Sequence, residues 1–283
     1  MRNVSQSDRQ DKATTNPLAA LLIATPTHIL SGAFGQLGTP IREYNLLIAP
    51  INSLLSKTMT KPPTPLYRFR TGSLNTLSEL VDNYIWLANS VSFNDPFEFD
   101  FKLDLTGVKV KNKSKNQSIE QMTNTAKNFL MKAGIACFTT VLDSILMWSH
   151  YSQNHTGVVV QYDMSAFADS IHKVDYVKEK PVLSPREFLQ TNSSEERKKV
   201  IARTLSTKYI KWRYEREWRL IGNRSMPFQF GKIKPVTAIY LGVNTQKRFE
   251  NLILSFARKA EIRVYRMGFH PSEYKLEPTS VSF

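Results

Sequence analysis

The sequence predicts an α+β domain with a mixed, largely antiparallel sheet flanked by helices, preceded by an N-terminal helical extension. Segments with strand-like alternation and segments with helical apolar spacing follow one another without the regular βα order of a parallel sheet, and no internal repeat is visible. The 283 residues are 41% hydrophobic and 22% charged, which is typical of a globular protein. The domain predicted from these patterns is a single one that covers residues 66–283.

Residues 1–65 are predicted to lie outside this domain. Residues 1–16 are polar and lack aromatic side chains, which predicts a disordered tail. Residues 17–60 predict a helical extension, because apolar residues between Ile41 and Leu55 recur at spacings of three and four. Residues 61–65 contain three prolines and favour an extended connector. The domain boundary is therefore placed at residues 61–65.

The elements of the domain follow from local patterns along the chain. Residues 66–70 alternate like a strand, Ser73 is placed to cap the next helix, and residues 84–88 form the second strand. Further strands are predicted at 135–140, 158–162, 215–221, 236–241 and, as the last one, 262–267. Further helices are predicted at 119–133, 144–154, 195–208 and 246–260.

The chain carries 38 basic and 24 acidic residues, a formal charge of +14, and the excess is concentrated between Lys208 and Arg266. Such an excess suits a polyanion such as nucleic acid, a dinucleotide or an acidic membrane surface, although a solvated basic face has the same composition. Lys208, Lys211 and Arg213 are the predicted polyanion-binding residues. Nucleic acid or another protein is the predicted partner.

Other features exclude several classes of protein. The single cysteine, Cys137, rules out a disulfide within the chain and favours a cytoplasmic location. No apolar run reaches the roughly 20 residues that a membrane span requires. Phosphate-binding loops, zinc-protease motifs and hydrolase elbows are absent from the sequence. No metal site is predicted.

The segment Tyr214-Glu215-Arg216-Glu217-Trp218-Arg219-Leu220 is the most distinctive of the chain. Alternate side chains of a strand share a face, so Glu215 and Glu217 are predicted to stand about 7 Å apart. One carboxylate of such a pair can stabilise a cationic sugar while the other activates an attacking group. The alternative is a ladder in which glutamate and arginine neutralise each other across strands.

Two further pairs are candidates for ligand binding. Arg68 and Arg70 share one face of the first strand, and guanidinium geometry suits a phosphate or pyrophosphate; the alternative is pairing with the acidic stretch around Asp95. Trp148 and Tyr151 are three residues apart on a helix and could cover a flat ring, whereas the alternative is a place in the core.

Several blocks of the sequence resemble the bacterial domain of unknown function 2971. They are Leu66-Tyr67-Arg68-Phe69, Trp86-Leu87-Ala88, Ser92-Phe93-Asn94-Asp95-Pro96-Phe97-Glu98, Cys137-Phe138-Thr139, Met147-Trp148-Ser149-His150-Tyr151 and Tyr214-Glu215-Arg216-Glu217-Trp218-Arg219-Leu220. The resemblance runs from about Leu66 to Leu241. The family name implies no activity.

More distantly, the order of these blocks resembles the ADP-ribosyltransferase fold, in which an arginine strand, a Ser/Thr strand and a glutamate strand form the site. Arg68 or Arg70 matches the first position, Phe138-Thr139-Thr140 the second and Glu215-Arg216-Glu217 the third. The resemblance implies NAD as the substrate that fills the cofactor site, bound by these arginines and by Thr139.

The same resemblance implies roles for the remaining candidates. Glu217 would stabilise the oxocarbenium-like transition state, and Glu215 would orient the acceptor. Trp148 or Tyr151 would stack on nicotinamide, and His150 would be a further NAD-binding residue. The implied enzyme transfers ADP-ribose to an unknown acceptor, with nucleic acid as one candidate, in a bacterial toxin or phage-defence role.

Two other functions remain open from the sequence. One is a non-enzymatic module that binds nucleic acid or a partner protein, in which the two glutamates are structural. The other is a magnesium-dependent nuclease that uses Asp95, Glu98, Glu215 and Glu217, because magnesium prefers carboxylate oxygens.

Overall fold

The computed structural model describes residues 61–104, 130–184 and 194–282, together with the single positions 106, 121, 124, 127 and 128. These residues belong to the unit that spans residues 44–283. The predicted tail and helical extension lie outside the described residues, as does most of the helix predicted at 119–133. No helix of the described part is long and apolar enough to cross a bilayer.

The described residues form an α+β fold, which confirms the predicted fold class. The helices are α1 (Leu74–Val81), α2 (Ile145–Tyr151), α3 (Ser194–Leu205) and α4 (Lys247–Ala260). The strands are β1 (Leu66–Arg70), β2 (Tyr84–Asn89), β3 (Lys102–Leu103), β4 (Gly134–Thr139), β5 (Val158–Tyr162), β6 (Ile171–Lys173), β7 (Asp175–Val177), β8 (Val182–Leu183), β9 (Thr207–Tyr209), β10 (Glu217–Gly222), β11 (Met226–Gln229), β12 (Val236–Leu241), β13 (Arg263–Phe269) and β14 (Leu276–Ser280).

Ten of these strands form one sheet in the order β11-β2-β4-β1-β5-β12-β13-β14, and β10 pairs with β4 and β6. The pairing is antiparallel except between β12 and β13, which α4 connects. Two short parallel pairs, β3 with β8 and β7 with β9, lie outside this sheet. The sheet is therefore mixed and mostly antiparallel, as the sequence predicts.

The helices cover the sheet because their apolar residues fall on one side. In α4, Phe249, Ile253 and Ala257 recur every four residues and are buried in the main core with the inward residues of β5 and β12. Ser73 caps α1 by accepting a hydrogen bond from the Thr76 amide, as predicted. On the other side of the sheet, Leu205 of α3 packs with Ile135 and Ile221.

Strand β4 pairs fully along one edge and only at its ends along the other, which leaves an opening in the sheet. Its whole length pairs with β10 on one edge. On the other edge, Gly134 and Ile135 pair with β2, and Thr139 pairs with Tyr67 of β1. Because pairing on this edge is confined to the two ends of β4, its middle residues open onto a space between β1 and β2.

The segment around the two predicted glutamates differs from expectation. The predicted strand 215–221 begins at Glu217, and Glu215 instead ends a 3₁₀ segment that covers Ile210–Glu215. Arg216 separates them in the left-handed conformation, with φ of 45°, which interrupts the period-two alternation. Two further predictions were wrong: helix 195–208 ends at Leu205 because β9 follows, and β14 comes after the strand predicted to be last.

Candidate functional site

A cleft of about 350 Å³ opens where β1 and β4 diverge, and this volume is within the range of small-molecule sites. The cleft brings together most of the predicted site residues from four parts of the chain. They are Arg68 and Arg70 of β1, Thr139 of β4, His150 and Tyr151 of α2, and Lys208, Glu215 and Glu217 from the segment that runs from β9 to the start of β10.

A buried charge cluster borders the cleft, formed by the carboxylates of Glu98, Glu215 and Glu217 with the cations of Lys208 and Arg219. Its members Lys208, Glu215 and Glu217 line the cleft. The Lys208 ammonium lies 2.6 Å from Glu215 Oε2, 3.0 Å from Glu217 Oε2 and 3.7 Å from Glu98 Oε2. Each of the five side chains is at most 5% exposed. Removing these charges from water is costly, and their mutual pairing offsets that cost.

Arg219 fixes the position of Glu217. Its Nε donates to Glu217 Oε1 at 2.7 Å and its Nη2 to Oε2 at 3.1 Å, while Nη2 also donates to Glu98 Oε1 at 2.7 Å. Burial alone would raise the pKa of Glu217, but Arg219 and Lys208 outweigh it and lower that pKa to about 2. Glu217 is therefore an anion held in one orientation at every physiological pH.

The other members of the buried charge cluster respond differently to burial. Burial would lower the pKa of Lys208, but the three carboxylates raise it above its ordinary value. Burial raises the pKa of Glu98 despite the nearby Arg219 and Lys208. With three carboxylates against two cations, the formal charge of the cluster is −1, and burial makes Glu98 accept a proton more readily than an exposed glutamate does.

Glu215 faces the cleft beside α2. The Tyr151 hydroxyl donates to Glu215 Oε1 at 2.6 Å, and Asn94 donates to the same hydroxyl at 3.3 Å. The Thr139 hydroxyl donates to the backbone carbonyl of Glu215, so β4 holds the end of the 3₁₀ segment. Tyr151 and Thr139 therefore position Glu215, and a carboxylate oxygen with one donor retains capacity for a second.

The two arginines of β1 are bound by a residue that the sequence analysis missed. Arg68 Nη1 lies 2.9 Å from Glu79 Oε2, and Arg70 Nη2 lies 2.7 Å from Glu79 Oε1. The alternative, in which they pair with the acidic stretch around Asp95, was wrong, because both arginines pair with Glu79 of α1. Arg68 also donates to the Trp86 carbonyl and is only 7% exposed, which leaves it a structural role.

Arg70 is the arginine that a ligand in the cleft can reach. Its side chain is 22% exposed, and its buried Nε makes no hydrogen bond with the described residues. Burial, followed by the proximity of Arg68, lowers the pKa of Arg70 to about 10, so it remains a cation. A cationic side chain that lines the cleft suits an anionic oxygen.

Trp148 does not contact the cleft, so its predicted role at the nicotinamide ring was wrong. The indole is fully buried, its Nε1 donates to the Leu142 carbonyl at 2.7 Å, and its ring packs edge-on against Phe69. His150 and Tyr151, from the same helix, do line the cleft. The helical spacing thus places Trp148 in the core and the other two at the surface.

Lys208 was also assigned wrongly as a polyanion-binding residue. Its side chain is 4% exposed and belongs to the buried charge cluster, so it cannot contact a phosphate backbone. Lys211 and Arg213 are exposed and line a separate groove. The strand pairing of β9 with β7 explains the difference, because it draws Lys208 inward while the following 3₁₀ segment turns outward.

The geometry does not favour a magnesium site. Asp95 Oδ1 accepts a hydrogen bond from the Phe97 amide and closes a turn, while Lys208 and Arg219 occupy the space between Glu98, Glu215 and Glu217. Within the described ranges, no group of three or more His, Cys, Asp or Glu side chains is arranged to hold a metal ion.

His172 gives the fold a measurable pH dependence. It lies opposite Arg219 in the β6–β10 pair, is 1% exposed, and neither ring nitrogen has a hydrogen-bond partner among the described residues. Burial lowers its pKa to about 4. His172 therefore binds a proton more readily in the unfolded chain than in the folded one. The free energy of unfolding should fall by on the order of 3 kcal/mol as the pH is lowered from 6.5 to 4.

Urea unfolding at several pH values measures this loss. Between pH 6.5 and pH 4, the free energy of unfolding of His172→Phe should change less with pH than that of wild type. The control is His150→Phe, at an exposed position, which should show the pH dependence of wild type. Identical pH slopes for the wild type and His172→Phe would contradict the assignment.

A model of the family described as a protein of unknown function (DUF2971) matches residues 147–220. The predicted resemblance to this family is thereby confirmed over that segment, which contains most of α2 together with Lys208, Glu215, Glu217 and Arg219. No curated protein and no solved structure matches the chain significantly.

Proposed function

We propose that the cleft binds NAD and transfers its ADP-ribose group to an acceptor. The observation that supports this most is the convergence of Arg70, Thr139 and the Glu215–Glu217 pair on one cleft, although they come from three distant parts of the chain. The order of these residues is also the order in which the resembled ADP-ribosyltransferase fold arranges its site.

Arg70 is the proposed contact for the phosphates. Its side chain is partly exposed and lines the cleft, so a pyrophosphate oxygen entering the cleft would gain a charge-assisted hydrogen bond from the guanidinium. The ion pair with Glu79 fixes the position of the Arg70 guanidinium. Arg68 has no proposed contact with the ligand, because Glu79 and the Trp86 carbonyl bind it.

The nicotinamide end is proposed to lie beside α2. His150 and Tyr151 line the cleft there, and they replace Trp148 as the aromatic contacts for a flat ring. The Tyr151 hydroxyl is already bonded to Glu215, so a ring beside Tyr151 would place the adjoining ribose near that carboxylate.

Glu217 and Glu215 have different proposed roles. Both oxygens of Glu217 are bonded to Arg219 or Lys208, so Glu217 acts through its fixed negative charge. That charge would stabilise the positive ribose as the bond to nicotinamide breaks and the leaving ring takes the electron pair. Glu215 would accept a hydrogen bond from the nucleophile of the acceptor, and it would take the proton of that nucleophile as the new bond to the ribose carbon forms.

The test is release of nicotinamide from NAD, measured by chromatography with and without DNA, RNA or protein acceptors. The wild-type chain is expected to release nicotinamide, and Arg70→Gln is expected to raise KM for NAD about tenfold or more, because a hydrogen bond to a charged group contributes about 1.5–3 kcal/mol.

Arg263→Gln is the matched control, since Arg263 is exposed on β13 and does not line the cleft; its KM should equal that of wild type. If the folded wild-type chain neither binds nor cleaves NAD under any of these conditions, the proposed function is wrong.

A further inference from the structure

A second concave surface, here called the basic groove, has a volume of about 570 Å³. It lies between the end of β7 and the 3₁₀ segment that follows β9. Its lining residues are Lys178, Tyr209, Ile210, Lys211, Arg213 and Tyr214. None of them belongs to the buried charge cluster.

The three cations of the basic groove are available to a ligand. Lys178, Lys211 and Arg213 are all exposed, and among the described residues no carboxylate forms an ion pair with any of them. The neighbouring Lys180 and Glu179 are already paired, with Asp100 and Lys102. Three uncompensated positive charges on one concave surface attract an anion that carries several phosphates.

The groove also presents aromatic surface. Tyr209 is 45% exposed, and Tyr214 is partly exposed on the same lining. A ring beside a row of cations matches the surfaces that bind single-stranded nucleic acid, where the cations follow the backbone and unpaired bases stack on the ring. A duplex keeps its bases stacked inside and would leave Tyr209 without a partner.

The groove and the cleft are joined by the 3₁₀ segment Ile210–Glu215. Arg213 and Tyr214 line the groove, and the next residue, Glu215, lines the cleft. Six residues of 3₁₀ helix span about 12 Å, which is about two nucleotides of extended single strand. A strand that ran from the groove along this segment would need about two nucleotides to reach Glu215.

We propose that the basic groove binds single-stranded nucleic acid and presents it to the cleft as the acceptor of ADP-ribose. The presentation step rests on the proposed function, whereas the binding step does not. Lys178, Lys211 and Arg213 contact backbone phosphates, and Tyr209 stacks on a base.

Fluorescence anisotropy with a labelled oligo(dT), titrated at several KCl concentrations without NAD, tests the binding step. The variant Lys178→Ala/Lys211→Ala/Arg213→Ala is expected to lose affinity tenfold or more. Its slope of log affinity against log salt should be smaller by about 2, since each lost contact with a single strand contributes about 0.7. Tyr209→Ala should weaken binding about tenfold without changing the slope.

The matched control is Lys232→Ala/Lys234→Ala/Lys259→Ala, which removes the same charge from exposed positions outside the groove and should retain the wild-type affinity and slope. The proposal is overturned if wild type does not bind oligo(dT), if both triple variants lose affinity equally, or if duplex DNA or polyglutamate displaces the oligonucleotide as well as unlabelled oligo(dT) does.

Nicotinamide release without nucleic acid separates this inference from the proposed function. The groove variant should release nicotinamide like wild type and lose only transfer to the oligonucleotide. Oligo(dT) binding with no NAD cleavage would support nucleic-acid binding by the basic groove and would overturn both the proposed function and the presentation step. NAD cleavage without oligo(dT) binding would overturn only the proposal that the basic groove binds nucleic acid.

Discussion

Replacing Arg219 with methionine is expected to lower the free energy of unfolding by about 3–5 kcal/mol, because the change leaves buried carboxylates without their cation. Arg219 is fully buried and bonds to Glu217, Glu98 and the Leu205 carbonyl. Without it, Lys208 alone would face three carboxylates. Urea unfolding at pH 7 measures the loss.

The pH dependence of this variant provides a second check. The pKa of Glu217 should rise when Arg219 is removed, because Arg219 is its strongest cationic partner. Protonation of Glu217 would then remove part of the cost of its unpaired buried charge. The difference in free energy of unfolding between wild type and Arg219→Met should therefore become smaller as the pH falls. Lys259→Met, at an exposed position, should change stability by less than about 0.5 kcal/mol. Equal stability of Arg219→Met and wild type would show that the cluster is not a coupled network.

Replacing Glu217 with glutamine is expected to reduce nicotinamide release about a hundredfold or more, mainly through kcat. The substitution keeps the shape of the side chain and removes the charge that would stabilise the ribose cation. It also leaves two carboxylates against two cations in the buried charge cluster, so the fold should be retained. Single-turnover measurement of nicotinamide release tests the effect on the chemical step.

Glu250→Gln is the control for this substitution. Glu250 is equally buried and pairs with Arg266 at 2.6 Å, but it does not line the cleft. The control should retain wild-type turnover even if it loses some stability. A Glu217→Gln variant that is folded and fully active would assign the glutamate a purely structural role and remove the main support for NAD chemistry.

The sequence predicts the sheet well where local patterns decide the structure. Strands β1, β5 and β12 have their predicted bounds because β-branched and aromatic residues fill short segments between turn residues. The Ser73 cap was predicted for the same reason, since a cap depends on residues within one turn. The convergence of Arg70, Thr139 and Glu215 followed from the resemblance in their order, with no local pattern to support it.

The partners within the site could not be predicted from local patterns. Glu79 binds both arginines across β1 and α1, and Lys208 of β9 contacts Glu215 across the 3₁₀ segment Ile210–Glu215, which the sequence analysis did not predict. Trp148 was misplaced because aromatic spacing on a seven-residue helix does not say which face packs inward. The contact between Arg219 and Glu217 is the one that the sequence could have indicated, because alternation along a strand places these two residues on the same face.

The opening between β1 and β4 is made by the main chain. It exists because β4 changes partner along one edge, from β2 at Gly134 to β1 at Thr139, so a substitution in its lining alters the chemistry of the cavity and leaves this strand arrangement in place. Proteins that share this strand arrangement could therefore exchange Arg70, His150 or Glu215 for other residues and retain a pocket of the same outline. Among such proteins, ligand selectivity would therefore differ more than the arrangement of the strands that form the pocket.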